Sequence, residues 1–371
     1  MRADKAAFSL LTDVAMAAIG PRPSQPPASA GSPQQRRGAD SGLVAQLARL
    51  SDAAGQPTPQ LMADFAALSL GPGRVAITDY ERLRLFDQGF WGPADRREVV
   101  GARRGRELAF LANPRREAFA LATDRLASGA YLGAHGLVTV PTIALYRADL
   151  ASPGANLLRS KGELREFLGA RTGQPLVAQP AEGGRPRLLF AGQRHDAGGD
   201  VERLIAETGD LPGVTWLLQP LVPPHPSYAG LTGGRLAPVQ FLTLASDDGV
   251  QVDRAVWRLG GRDDLVASLD LATGRALELF PAREPYHRQT APADLVAPGW
   301  SLLRAAVTEA ARLFSQFGLL GLEVAPSADG PVILGLDPTP DLDLPQLADR
   351  RGLLTARVQA FLADRRRLAG G

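Results

Sequence analysis

A chain of 371 residues with 45% apolar and 22% charged side chains has the make-up of a globular protein, and its length exceeds one compact core, so two or three lobes are expected. The formal charge of +2 is too small to indicate nucleic acid, and there is no run of about 18 or more apolar residues to span a membrane. The absence of cysteine excludes disulfides, thiolate nucleophiles and Cys-ligated zinc, while four dispersed histidines (His135, His195, His225, His287) argue against a His-based zinc site.

The N-terminal AAFSLLTDVAMAAIG carries Asp4 before its apolar run and Asp13 within it, which reads as a short helix of a cytoplasmic protein rather than a signal peptide. Pro21 to Gly42 is a Pro/Ser/Gln/Gly tract with too little apolar surface to fold, so residues 1–42 are expected to be a leader ending in a disordered linker. A helical region follows over 43–120. LVAQLARL opens it, and in TPQLMADFAALSL Thr58 can cap, Pro59 suits the first helical position and Gly71 stops the helix. ITDYERLRLFDQ begins with a Thr/Asp cap, and PRREAFALATDRLASGAYLGAHG reads as one long helix ending at Gly136 before the strand TVPTIALY.

Over 121–215 the pattern is that of a small α/β lobe. LRSKGELREFLGA is a helix, PLVAQP a strand, EGGRPRLLFAG a Gly-rich turn with a strand, GDVERLIAETGDL an amphipathic helix, and TWLLQPLV an apolar strand leaving the lobe. Over 216–371 a larger lobe is expected. PVQFLTLASDDGVQVDRAVWRLGG is a hairpin with Asp-Asp-Gly at its turn, WSLLRAAVTEAARLFSQFG a helix, and TARVQAFLADRRRLA a closing basic helix. Between the last two helices lies GLEVAPSADGPVILGLDPTPDLDL, a second hairpin with an Asp-Gly turn, followed by a carboxylate-rich loop. It presents Glu323 and Asp337 side by side, a way to hold a hard divalent cation against phosphate oxygens.

Basic residues are skewed: of 41, only Lys5 and Lys161 are lysines and the other 39 are arginines. Any mechanism that needs two active-site lysines cannot run here in its usual form.

The order of these elements and several strings resemble the ATP-grasp fold, most closely the sugar-transfer-associated ATP-grasp family. The strings are NPRREAFALATDR followed by VTVPTIAL; SKGELREFLGARTGQPLVAQP; LLQPLVPPHPSYAGL; QFLTLASDDGVQVDRAVWRLG; APGW; and the Glu323–Asp337 hairpin with its loop. The resemblance implies an α+β fold in which two lobes clasp ATP and Mg²⁺ and phosphorylate a carboxylate, with an amine or similar nucleophile displacing the phosphate.

Carried over residue by residue, the resemblance implies a changed site. The first phosphate lysine is Arg125, in the pair Asp124-Arg125, which keeps the charge and is equally readable as a surface arginine. The second lysine is replaced by the neutral Gln179 before Pro180. Gly183 and Gly184 keep a loop able to bring backbone N–H groups to phosphates, although an ordinary β-turn has the same look. At the hinge, Gln219, Pro220, Leu221 and Val222 remain as adenine contacts, but Pro220 removes the carboxylate that meets the ribose. Gln240 replaces an arginine, whereas Arg258 matches the family's other strand arginine and is the candidate for the transferred phosphoryl group. Glu323 substitutes one metal-binding carboxylate for another. Gly335 removes the bridging glutamate, Asp337 restores one negative charge, and Asp341 and Asp343 are either further metal groups or helix-capping loop residues.

Two functions of different class are thereby expected. One is a degenerate ATP-grasp homologue with weak or lost ligase activity and weak nucleotide binding, acting as a binding or scaffold partner for another protein, beside enzymes that build surface polysaccharide. The other is an active ATP- and Mg²⁺-dependent carboxylate ligase rewired around Arg125, Arg258, Glu323 and Asp337. Loss of one preorganised charge contact commonly costs on the order of 10²-fold in rate, so the joint losses favour the first.

Overall fold

The computed structural model describes residues 43–146, 156–171, 175–182, 187–188, 214–260 and 264–370. The expected leader, the Gly183-Gly184 turn and the helix GDVERLIAETGDL lie outside the described residues.

Five helices form the N-terminal region: α1 (Leu43–Ala54), α2 (Thr58–Leu70), α3 (Ile77–Arg82), α4 (Pro93–Arg97) and α5 (Ala102–Ala112). Leu47, Leu61, Tyr80, Leu83, Trp91 and Val99 bury their side chains in a shared core there. Two caps differ from expectation. Pro57 occupies the N-cap of α2, which places Thr58 inside the helix with its hydroxyl on Ser51 Oγ. In α3 the cap is made from the third position, where the Asp79 carboxylate accepts the Ala76 N–H.

The long helix expected across 114–136 is broken. A 3₁₀ turn (Arg116–Ala118) leads into α6 (Phe119–Thr123), and α7 (Arg125–Ala134) starts afresh after Asp124. Asp124 leaves helical geometry at ψ 109° and accepts the N–H groups of Leu126 and Ala127, a better use of its carboxylate than a mid-helix position offers.

A five-stranded sheet makes the small lobe: β1 (Ala144–Tyr146), β2 (Asn156–Leu158), β3 (Leu176–Pro180), β4 (Arg187–Leu188) and β5 (Trp216–Pro220), ordered β2-β1-β5-β3-β4. Helix α8 (Lys161–Gly169), capped by Ser160, packs Leu164, Phe167 and Leu168 onto Ala144, Tyr146, Ala178 and Trp216. Strand β5 therefore sits at the centre of this sheet, past the break expected at 215.

The large lobe follows helix α9 (Pro226–Thr232). Its seven strands are β6 (Val239–Ser246), β7 (Gly249–Gly260), β8 (Leu265–Leu269), β9 (Ala276–Pro281), β10 (Gln289–Thr290), β11 (Leu319–Ser327) and β12 (Gly330–Asp337). They form one antiparallel sheet, ordered β10-β9-β8-β7-β6-β11-β12. Both predicted hairpins are present, with Ser246 paired to Gly249 and Ser327 to Gly330 across two-residue turns. Helix α10 (Trp300–Leu313) covers one face through Trp300, Leu303, Val307 and Ala311 against Phe241, Trp257 and Leu322. The other face is covered by α5 and by α12 (Ala356–Gly370), with α11 (Asp343–Asp349) adding Leu344 and Ala348 over Val256, Val266 and Phe280. Coverage on both sides explains why β6 and β11 read as nearly continuous apolar runs without alternation.

Two buried amides fasten the N-terminal helices to this lobe. Asn113 donates to Leu319 O and Pro338 O, each at 2.7 Å, and accepts the Leu319 N–H. Gln346 closes a reciprocal pair with the backbone of Val100 and also accepts the Leu353 N–H.

Candidate functional site

A narrow cleft with only about 20 Å³ of free space lies between the lobes. One wall is the start of α7 with β3 and β5, giving Arg125, Ser128, Gln179 and Gln219; the other is β12 from Ile333 to Leu336.

Sheet register fixes the carboxylates. Gly321 lies opposite Asp337 and Glu323 opposite Gly335, so Glu323 and Asp337 are diagonal neighbours on one face of adjacent strands. A bulge at Leu334, where the pairing shifts between Glu323 and Val324, turns the end of β12 just before Gly335. Position 321 must be glycine, because a Cβ there would come within 2.8 Å of Pro340 Cβ, in the loop that folds back over β11.

Gln240 faces Glu323 across the β6–β11 ladder and donates its amide to Glu323 Oε1 at 2.9 Å. The same register puts Arg258 on this face through Val256, which pairs with Gln240. Arg258 is about a third exposed and forms an ion pair with Asp264 at 3.2 Å.

The remaining acidic posts are engaged by their own loop. Asp337 Oδ1 accepts both the N–H and the hydroxyl of Thr339, and Asp341 Oδ1 accepts the Asp343 N–H at the start of α11. Asp343 is paired with Arg82, which also holds Asp79. Asp337 is exposed to solvent at its surface, yet the protein packed around its carboxyl raises it above the ordinary aspartate value, opposed by the hydrogen bonds from Thr339 and aided by the nearby charges of Glu323 and Asp341. Burial likewise raises Asp341, against the opposing pull of Arg82 and Arg258.

Arg125 begins α7. Its backbone N–H is bonded to Ala181 O, and its guanidinium donates to Pro180 O at 3.0 Å, at the end of β3. Burial lowers its pKa, while Glu323 and Asp337 on the opposite wall raise it. The side chain passes over Gly335, where a Cβ would lie 3.8 Å from Arg125 Nε.

On the small-lobe wall Gln179 donates to Gln219 Oε1 at 2.5 Å, and the Gln219 amide donates to Val140 O and Thr142 Oγ1. At the hinge, the Leu221 N–H is bonded to Pro175 O; Pro220, Leu221 and Val222 are all half-buried. Gly183 and Gly184 lie outside the described residues.

The structure thus brings Arg125, Gln179 and Gln219 together in the cleft and sets Glu323, Asp337 and Arg258 on one sheet face. It gives Asp341 a helix-end role. Gln240 and Arg82 belong to this neighbourhood as well. Their signal in sequence was slight: Gln240 is set opposite Glu323 only by the register, and Arg82 lies some 260 residues before the loop it meets.

For a hard cation such as Mg²⁺ these residues offer two carboxylates, Glu323 and Asp337, each with one oxygen accepting a hydrogen bond within the protein, and the positive charge of Arg125 competes for both. Among the described residues no three His, Asp or Glu side chains gather where they could share a metal ion. Among those residues, too, no helix is long and apolar enough to cross a membrane.

No family description matches the sequence, and no curated protein matches it. Solved structures do resemble it. The ATP-grasp ligase PsnB complexed with minimal precursor is 16% identical, over 67% of this chain and 62% of that one, with a TM-score of 0.38. D-alanyl-alanine synthetase A from Vibrio cholerae O1 biovar eltor is 10% identical over 66% and 65%, at 0.40. The biotin carboxylase–β-γ-ATP complex from Campylobacter jejuni is 11% identical over 67% and 47%, at 0.42. The chain spans less than two thirds of the length of these proteins, and the ligands and reactions in their names are theirs.

Proposed function

We propose that this chain is an ATP-grasp-fold protein whose cleft has given up phosphoryl-transfer chemistry and which serves as a binding or scaffold partner, beside enzymes of surface-polysaccharide or sugar-transfer metabolism. The strings quoted above support the family and the setting.

The observation that carries the loss of chemistry is the amide chain Gln179–Gln219–Thr142. A phosphate lysine must project a free cation into the cleft. Here a neutral amide stands at that post, and its N–H is turned into the wall. Nucleotide remains a ligand of low affinity on this reading, held through backbone at the hinge and by whatever charge Arg125 and Arg258 can spare from their carboxylate neighbours.

Calorimetric titration of the full chain with ATP, with and without Mg²⁺, tests the proposal. Binding no tighter than the high-micromolar range and indifferent to Mg²⁺ is expected. Submicromolar, Mg²⁺-dependent binding would overturn it and restore the rewired-ligase alternative built on Arg125, Arg258, Glu323 and Asp337.

A further inference from the structure

We infer that the guanidinium of Arg125 stands in the cleft as a built-in counter-ion to Glu323 and Asp337, taking the place a divalent cation would occupy and tying the two lobes together. The inference rests on the reading of the cleft given above and says what fills it.

Three observations converge. The first is the span of the side chain: its guanidinium donates to Pro180 O on the small lobe, while its Nε lies beside Gly335 of β12 on the large one, the strand that carries Asp337 and pairs with Glu323. The second is the space it uses. Gly335 lies opposite Glu323 in the ladder, and a Cβ at 335 would sit 3.8 Å from Arg125 Nε, in van der Waals contact, so the arginine packs directly over the strand that carries Asp337. The third is the state of the carboxylates. Glu323 Oε1 accepts from Gln240 and Asp337 Oδ1 from Thr339, so both carboxylates are anchored on the sheet face beside the guanidinium and each keeps its second oxygen for a cation.

Charge logic gives the consequence. Two carboxylates diagonal on one sheet face repel each other unless a cation lies between them. A guanidinium carried by the chain supplies that cation at every metal concentration, and it repels any incoming divalent ion. Arg125 is therefore a positioning residue, and removing it should uncover a cation site that the intact protein conceals.

The test is Mn²⁺ binding to the full chain, followed by paramagnetic resonance of the free ion, for the unaltered protein, Glu323→Gln, Arg125→Ala, Arg125→Gln and Arg125→Ala combined with Glu323→Gln. Arg125→Gln keeps a donor for Pro180 O and guards against a folding defect in the alanine variant. The expected result is at least tenfold tighter Mn²⁺ binding in both single variants than in the unaltered chain, reversed when Glu323→Gln is added. Stoichiometric Mn²⁺ binding by the unaltered chain that Glu323→Gln abolishes would overturn the inference, as would folded Arg125 variants that gain nothing. Either result leaves the loss of phosphoryl transfer to be judged separately, because that reading is decided by nucleotide affinity and turnover.

Discussion

Gln179 donates to Gln219 Oε1, so a lysine introduced at 179 would begin beside a ready acceptor instead of reaching freely into the cleft. A charge-assisted contact to phosphate contributes roughly 1.5–3 kcal/mol, and competition from Gln219 takes part of it. Gln179→Lys should therefore tighten ATP binding by no more than about tenfold, or ~1.4 kcal/mol, in a calorimetric titration. A gain of about a hundredfold or more would mean that the amide chain is no obstacle. Gly335→Glu calls for a similar revision. The sequence suggests that it would rebuild a bridging metal ligand, but its Cβ starts against Arg125, so the new carboxylate meets a guanidinium first.

The cleft carboxylates also set a pH dependence. Burial raises Asp337 above its ordinary value, so the folded protein holds that proton more tightly than the unfolded chain does. Stability from this group is then greatest below the unfolded pKa, about 3.9, and is lost as pH rises through the folded value. Asp337→Asn keeps an oxygen for Thr339 and removes the titration. In urea unfolding it should gain on the parent at about pH 7 and lose that advantage towards about pH 4. Parallel stability curves for the two proteins across that range would count against a raised Asp337.

At the scale of the element, the break before α7 is what aims Arg125. Read as periodicity, PRREAFALATDRLASGAYLGAHG is one helix; in the fold, Asp124 caps a new one. The capping signal was visible in the sequence as an Asp before a helix former. It was outweighed by an apolar pattern continuous through it, and only the bridge of Asp124 to Glu182, just past β3 in the small lobe, shows why the chain must turn there. Asp124→Ala should cost about 1 kcal/mol of stability in chemical denaturation, as loss of an N-cap commonly does. No change would mean that tertiary contacts alone hold the start of α7. The hairpins behaved differently, since their turn residues and strand lengths are local properties. Strands β9 and β10 and helices α5, α9 and α11 had no comparably strong local pattern, and packing against the large sheet decides them.

For the molecule as a whole, the two-lobed α+β architecture was legible from element order, while the attachment of the N-terminal helices was not. Their fastening depends on Asn113 and Gln346, single polar residues whose partners lie more than 200 residues away. Gln346 is fully buried and bonds both backbone groups of Val100, so Gln346→Ala leaves several groups unpaired at once. A loss of about 2–4 kcal/mol is expected, with the helices and the large lobe unfolding in a single transition in the unaltered chain. Two separate transitions in that chain would show that the helices are an independent unit. The site was legible in part. Residue types at the posts could be read from the strings, but which of them pair with each other follows from register and from the approach of two lobes distant in sequence.

The central claim is that these pairings have replaced phosphoryl-transfer chemistry, and ADP release tests it most directly. The purified full chain, incubated with ATP, Mg²⁺ and mixed carboxylate and amine pools, should release ADP no faster than a protein-free control. Release above that control which disappears in an Arg258→Ala variant would contradict the account and establish the cleft as a working, rewired catalytic site.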